Sequence, residues 1–322
     1  MLFLGTAASV PTSQRGTAGY LLRRGGDRIL IDCGEGTQRQ MLRSGAGLVD
    51  VDEILITHYH ADHFLGLPGL LKTFGLRARE AALRIYGPAG LRALMEVMRP
   101  VIGRVHYTLE LVELDPGDWI GHDGYRIESF ATDHGVHSLG YAVLEEVRPG
   151  RFDVDAARAL GVPEGPAFGL LQRGEAVTLD SGQTIDPGQV VGQARAGRRI
   201  VFSGDTRPCP ATVEAAAAAD ALIHEATFLD EDAERARLTG HTTAGQAARM
   251  ARDAQVSLLA LTHLSTRYLV RDVRREAEAE FPNTVIPRDF DVLDLPLPER
   301  GPPRLECGDA AMAPPAEVPV AE

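Results

Sequence analysis

A chain of 322 residues, 44% hydrophobic and 24% charged, is long enough to bury a substantial core, as one large domain or two of ordinary size. Its formal charge of -12 excludes a nonspecific nucleic-acid binder that works by bulk phosphate neutralisation, while leaving room for a local basic surface that reads the shape of an RNA. No apolar run is long enough to span a bilayer, the opening MLFLGTAASVPT has no basic flank, and Cys33, Cys209 and Cys307 are too scattered for a disulfide framework or a Cys-rich zinc module, so a cytoplasmic protein with free thiols is expected.

Taken in order, short β-type runs recur, each ending in glycine or a polar cluster: LFLG, AGYLLR, RILIDCG, EILITH, LRIYG, YRIESF, GYAVLEE, RIVFSGD, ALIHEA and VSLLALTH. Helical patterns alternate with them over 36–44, 67–79, 88–98, 211–219, 243–252 and 270–281. The alternation predicts an α/β layered domain, sheets covered by helices, spanning residues 1–290 with no internal repeat. Two stretches stand apart. Residues 146–199 are rich in proline and glycine, carry seven acids and seven arginines, and read as an inserted arm. Residues 291–322 are rich in proline, alanine and acid, carry a net charge of -5, and read as a disordered tail on a body of -7. Lys72 is the only lysine, a bias that points to codon usage rather than to mechanism.

The densest chemistry lies in EILITHYHADHFLGLPGL, where an apolar strand breaks into His58, His60, Asp62 and His63. In an extended segment His58 and His60 point to one side, and a turn after His60 brings Asp62 and His63 back toward the same point. Imidazole plus carboxylate without thiolate favours zinc or a similar divalent ion, and a shared carboxylate suits a pair of ions. Two other apolar strands end as abruptly, at Asp205 in RIVFSGD and at His263 in LLALTH, and SFATDHGVHSLGY holds His134 and His137 in a polar turn. Functional groups in α/β sheets gather outside the carboxyl ends of strands, so these termini are expected to converge.

These motifs resemble those of the metallo-β-lactamase-fold hydrolases, whose signature H-x-H-x-D-H stands here at His58 to His63. More narrowly, FLGTAASVPT, DCGEGTQRQ, THYHADHFLGLPGL, DHGVHSLGY, FSGDTRPC, HEATF and LTHLSTRY resemble, in this order, the motifs of the ribonuclease Z family. The resemblance implies a four-layer αββα sandwich with a protruding arm. It implies two zinc ions per subunit, one on His58, His60, His134 and Asp205 and one on Asp62, His63, His263 and the shared Asp205. His134 is preferred to His137 because the family's ligand directly precedes the GV-x-x-x-GY stretch. Asp62 is then the general base, His241 the acid for the leaving oxygen, and Glu225 the carboxylate that orients it; the alternative for the last two is a purely structural pair. Arg267 is a candidate phosphate contact or a surface ion-pair residue. The implied activity is zinc-dependent removal of the 3′ trailer from precursor tRNA by a homodimer, with no membrane association and no organic cofactor. The alternative is hydrolysis of small phosphodiesters or other esters on the same fold.

The chain departs from the family in three places. The loop usually written Pro-x-Lys-x-Arg-Asn runs here from Pro11 to Gly16 and keeps only Pro11 and Arg15. His-Ser-Thr becomes His241-Thr242-Thr243, which preserves the hydroxyl. The arm keeps the Gly165-Pro166 turn but lacks the lysines around it, so its contact with tRNA rests on shape rather than on bulk charge.

Overall fold

In the computed structural model, residues 1–48 and 51–308 are described. The first half alternates strands β1 (Leu2–Gly5), β2 (Gly19–Arg24), β3 (Asp27–Ile31), β4 (Glu53–Leu55), β5 (Leu83–Gly87) and β6 (Leu109–Glu113) with helices α1 (Thr37–Arg43), α2 (Ala61–Phe64), α3 (Gly66–Leu76) and α4 (Leu91–Ile102). Strands β7 (Trp119–His122), β8 (Tyr125–Ala131) and β9 (Leu139–Glu145) then begin a second sheet. The inserted arm carries α5 (Val154–Ala159), α6 (Pro166–Gln172) and a small hairpin of β10 (Val177–Thr178) and β11 (Thr184–Ile185). The second sheet resumes with β12 (Arg199–Phe202), β13 (Ala221–Glu225), β14 (Leu259–Thr262) and β15 (Thr284–Val285), connected through α7 (Pro210–Ala215), α8 (Ala233–Thr239), α9 (Ala244–Asp253) and α10 (Val270–Glu280). Finally β16 (Val292–Asp294) and β17 (Arg304–Glu306) return to the first sheet.

The first sheet runs β17-β16-β1-β2-β3-β4-β5-β6 and the second β15-β14-β13-β12-β9-β8-β7. Each has an antiparallel side and a parallel side, the change falling at β3 in the first and at β12 in the second. Period-two alternation explains the layering. In β3, Ile29 and Ile31 face the second sheet while Leu30 faces the helices. The central layer is thus Phe3, Tyr20 and Ile31 against Tyr141, Phe202 and Ile223. Helices α1, α3 and α4 cover the outer face of the first sheet, and α7, α9 and α10 that of the second. The result is the αββα sandwich, and each large apolar side chain sealed in its centre contributes about 1.5–3 kcal/mol of burial.

The local signals are ordinary ones. Thr243 accepts from the amide of Gln246, whose side chain returns to the Thr243 amide, a capping box that starts α9. Asp153 caps α5 in the same way, accepting from Ala156. The arm is a folded unit with its own core of Ala157, Val162, Leu171, Ile185 and Val190. Among the described residues, no helix is long and apolar enough to cross a membrane.

One expected boundary moves. Residues 291–308 belong to the first sheet rather than to a disordered tail: Val292 pairs with Leu2, and Leu293 is fully buried between the sheets. Proline-rich composition suggested disorder, but β1 offers an open edge and two short runs between the prolines, Val292–Asp294 and Arg304–Glu306, fill it. Residues 309–322 of that stretch lie outside the described residues.

Candidate metal centre and its acid–base partners

The cluster forms where strands of both sheets end. His58 lies three residues beyond β4, Asp205 three beyond β12, and His263 follows β14 directly, while His134 stands in the turn between β8 and β9. The turn after His60 is α2, which carries Asp62 and His63. It is pressed onto the loop after β3: the amide of Cys33 donates to the carbonyl of His63, and that of Gly66 to the carbonyl of Cys33. A Cβ on Gly34 would sit 2.1 Å from the carbonyl oxygen of Asp62, so this approach requires glycine.

Two sets of ligand atoms take in the seven expected side chains, His58 with His60 and His134, and Asp62 with His63, Asp205 and His263, while His241 makes two further groups, with His134 and Asp205 and with Glu225 and His263. In the first, Nδ1 of His60 lies 3.0 Å from Nε2 of His58 and 3.0 Å from Nε2 of His134. In the second, Nε2 of His263 lies 3.1 Å from Oδ2 of Asp62 and 3.3 Å from Nε2 of His63. Asp205 stands between them, Oδ1 at 3.4 Å from His63 and Oδ2 at 3.3 Å from His263, 3.8 Å from His134 and 3.9 Å from His58. His60 is exposed and the other six are buried. His137 is exposed and belongs to neither set, whereas His134 reaches the first.

The outer nitrogens show what the inner ones are for. His63 presents Nδ1 to Oδ2 of Asp32 at 2.7 Å, His134 presents Nδ1 to the carbonyl of Gly240 at 2.7 Å, and His263 presents Nδ1 to Oγ1 of Thr227 at 2.8 Å. Thr57 Oγ1 donates to Asp32 and lies 3.1 Å from Nδ1 of His58. An N–H committed outward leaves the inward nitrogen as a bare lone pair. Lone pairs and carboxylate oxygens facing one another repel unless a cation stands between them. The spacings fit: zinc bonds of 2.0–2.1 Å make the edges of a tetrahedron about 3.3 Å long.

The charges agree. Burial opposes ionisation of Asp205 and Asp62, but His63 and His263 outweigh it and hold both carboxyls below their usual range. Burial pulls His63 down, yet Asp205 and Asp32 push it well above the ordinary histidine value, so the two carboxylates draw a positive charge to Nε2, either a proton or a metal ion that would replace it and use the lone pair. Burial and the neighbouring His63 push His58 well below it. Two ionised carboxylates in a dry site thus demand positive charge.

Beside the cluster, Nδ1 of His241 lies 2.9 Å from Oε1 of the fully buried Glu225 and 3.8 Å from Oδ2 of Asp205. Burial alone would lower His241, but the charge and hydrogen bond of Glu225, with Asp205, push it up to about 9. Glu225 also accepts from the amide of Thr206 at 2.8 Å and from the hydroxyl of Thr227 at 2.5 Å, so its carboxylate is fixed on several sides.

The four residues expected to touch substrate lie outside the ligand sets, although Arg15 lines one cavity with Leu264, Ser265, Thr266 and Tyr268, the stretch that carries Arg267. Arg267 is exposed, and no hydrogen bond or ion pair engages its side chain among the described residues. Arg15 is half-buried and engaged, Nη1 donating to Oγ1 of Thr6 at 2.5 Å and to the carbonyl of Pro287 at 2.8 Å, which makes it a clamp for its own loop. Gly165, with φ of 114°, and Pro166 open α6 on the surface of the arm. His122 and His224 stand elsewhere, on β7 opposite Glu53 and buried in β13.

Sequence reasoning passed over Asp32, Thr227, the Gly240 carbonyl and Ser9, whose amide donates to Oδ2 of Asp62 at 2.8 Å. Only Asp32 left a trace, as an acid closing the apolar run RILI. Asp32, His263 and Ser9 also have φ of 57°, 55° and 58°, left-handed values that cost about 1–3 kcal/mol each and persist where the surroundings over-determine them.

Known proteins resemble this chain over most of its length. The metallo-beta-lactamase superfamily profile matches residues 13–263. The Ribonuclease Z of Myxococcus xanthus is 49% identical over 83% of this chain and 87% of its own length. That of Gemmatimonas aurantiaca is 49% identical over 92% and 96%, and that of Methanosarcina acetivorans 44% over 91% and 97%. The crystal structure of human tRNase Z, short form, superposes with a TM-score of 0.65 at 28% identity, covering 92% of this chain and 98% of that one. A diphosphatase from the PhnP family, 18% identical with a TM-score of 0.62 over 92% of this chain and 97% of its own, shares the fold.

Proposed function

The chain belongs to the ribonuclease Z family of the metallo-β-lactamase superfamily, and from that premise we propose that it is the endoribonuclease that removes the 3′ trailer from precursor tRNA, leaving a 3′-hydroxyl on the tRNA and a 5′-phosphate on the trailer. The observation that carries this reading is the facing set of inward lone pairs and carboxylates at His58, His60, Asp62, His63, His134, Asp205 and His263. His58, His60, His134 and Asp205 would hold one zinc ion, and Asp62, His63, His263 and the same Asp205 would hold a second. Bound divalent cations supply Lewis acidity that brings the pKa of a water toward about 7 and offsets the charge of the phosphodiester.

The protein's own groups do the rest. Asp32, Gly240 and Thr227 hold three imidazoles in the tautomer that turns Nε2 inward. Asp62, kept ionised and steadied by the Ser9 amide, accepts the proton of the attacking water. His241, turned by Glu225, delivers a proton to the departing 3′ oxygen. Arg267, exposed four residues beyond His263, meets a phosphate of the substrate. The arm around Gly165 and Pro166 serves as a docking element for tRNA, because a separately cored excursion has no use in hydrolysing a small ester. The active form is a homodimer in which the arm of one subunit serves the site of the other, and the substrate sets the compartment as the cytoplasm.

End-labelled precursor tRNA carrying a 3′ trailer tests the reading. A single metal-dependent cut at the tRNA 3′ end by the wild type, lost in Asp62→Ala, supports it. Intact RNA beside brisk hydrolysis of a small phosphodiester by the same sample overturns it.

A further inference from the structure

The arm leaves the second sheet as a two-stranded stalk that prolongs β9 and β12. Arg148 and Arg195 face each other across it, each amide donating to the other's carbonyl at 2.8 Å. Both side chains reach the same carboxylate. Arg148 is bidentate, Nη1 on Oε1 and Nη2 on Oε2 of Glu299 at 2.8 Å each, and Nη1 of Arg195 joins Oε1 at 2.8 Å. Arg195 also donates to the carbonyl of Pro149 and Arg148 to that of Ala196, so each guanidinium is held on two sides.

Glu299 comes from outside the arm. It lies in the 3-10 turn at Pro298–Arg300, between β16 and β17, strands of the opposite sheet and beyond residues 13–263. A second tier lies below it: Arg198 donates to Glu145 from Nε at 2.8 Å and from Nη2 at 2.5 Å, Nη1 of Arg198 donates to the carbonyl of Leu295, and Nε of Arg24 in β2 reaches Glu145 at 2.7 Å. The stalk is therefore clasped to the first sheet at two levels. Other arginines of the arm are spent within it, Arg158 on Glu164 and Arg173 on Glu175.

We propose that Glu299 is a positioning residue for the substrate: by joining Arg148 and Arg195 to the β16–β17 segment it fixes the direction in which the arm leaves the body, and with it where a bound tRNA is held relative to the metal centre. The proposal rests on the tRNA reading above. A rigid head on a stalk is only as well aimed as the root of the stalk. The geometry suits the task, since fork-on-carboxylate pairing restricts direction as well as distance. The hydrogen bonds from Arg148 also hold the Glu299 carboxyl down to about 2, so the clasp is charged at any physiological pH.

The test compares wild type, Glu299→Gln, the double variant Arg148→Ala with Arg195→Ala, and the triple combination. Each is assayed on precursor tRNA and on bis(p-nitrophenyl) phosphate, which is too small to touch the arm. The expected result for Glu299→Gln is a KM for precursor tRNA raised about tenfold, the scale of one charge-assisted hydrogen bond, with kcat within about twofold and the small diester unaffected. The triple variant is expected to be no worse than the double, because one clasp is lost only once. A wild type that cuts precursor tRNA beside a Glu299→Gln variant with unchanged KM overturns the proposal alone. Equal losses on both substrates also overturn it, by showing general damage. A wild type that does not cut precursor tRNA overturns the functional reading and the proposal with it.

Discussion

Asp32→Asn tests whether the centre depends on the groups behind it. Asp32 is fully buried, and its carboxylate accepts from Nδ1 of His63 at 2.7 Å, the Thr57 amide at 2.8 Å and the Thr57 hydroxyl at 2.9 Å. Asparagine keeps the volume, and it tolerates φ of 57° better than alanine, so backbone strain does not confuse the result. What changes is that one acceptor oxygen becomes an NH₂ donor. Whichever way the amide turns, it meets the N–H of His63 or that of Thr57, and one buried donor is left without an acceptor, at about 1–3 kcal/mol. If the amide turns its donor to His63, the ring is driven to the tautomer with its proton at Nε2, which is the atom facing Asp205 and His263. Loss of such a support weakens metal binding by about 10–100-fold. Metal affinity in chelator-buffered zinc and trailer cleavage at limiting and excess zinc measure the effect, with urea unfolding as the check on folding. The expected pattern is weaker binding and cleavage that recovers substantially with excess zinc. A folded Asp32→Asn protein with wild-type affinity would refute the argument that the outer hydrogen bonds set the inner lone pairs.

Removing the cations with a chelator should abolish cleavage and lower the thermal midpoint, with both restored by zinc, because ligand binding to the folded state adds stability by mass action. Glu145→Gln probes the root of the arm. Burial opposes its ionisation, but Arg198 and Arg24 hold its carboxyl down to about 2, so its contribution is full above the unfolded value near 4.5 and fades as pH falls toward 2. Discounted for the partly exposed arginines, the loss should be about 1–2 kcal/mol in urea at pH 7 and should shrink by pH 3. Phe202→Ala opens a hole between the sheets beside Tyr20 and should cost about 3–5 kcal/mol in the same assay, against about 0.5 kcal/mol or less for exposed Leu238→Ala.

Much of this was legible in the linear text because strand, turn and ligand are neighbours there. EILITHYHADH shows an apolar strand, its end and four side chains that meet in one cluster, and RIVFSGD and LLALTH repeat the pattern. The rest depends on partners distant in sequence. Nothing near His263 announces Thr227, and a backbone carbonyl such as that of Gly240 leaves no residue-type signal at all. Edge strands were also hidden. In β6, LELVE alternates but is half-exposed along its length, and β16 and β17 stand among prolines. The two short helices of the arm are held by a local core of five small and medium apolar side chains, too sparse to show as periodicity.

The pairing of Leu2 with Val292 has a bearing on how the molecule is made. Backbone hydrogen bonds from Phe3 to Asp291 and from Leu293 to Met1 join two strands that lie some 290 residues apart in the chain. Closing a loop of that length costs ~5 kcal/mol in chain entropy, recovered only when the intervening sheets are in place. Completing the first sheet, seating Glu299 against the arm and bringing His63 to His263 are therefore long-range closures that depend on the sheets between them. The outer strands of the first sheet, the root of the arm and the ligand cluster are thus completed in one closing step of folding rather than piecemeal along the chain.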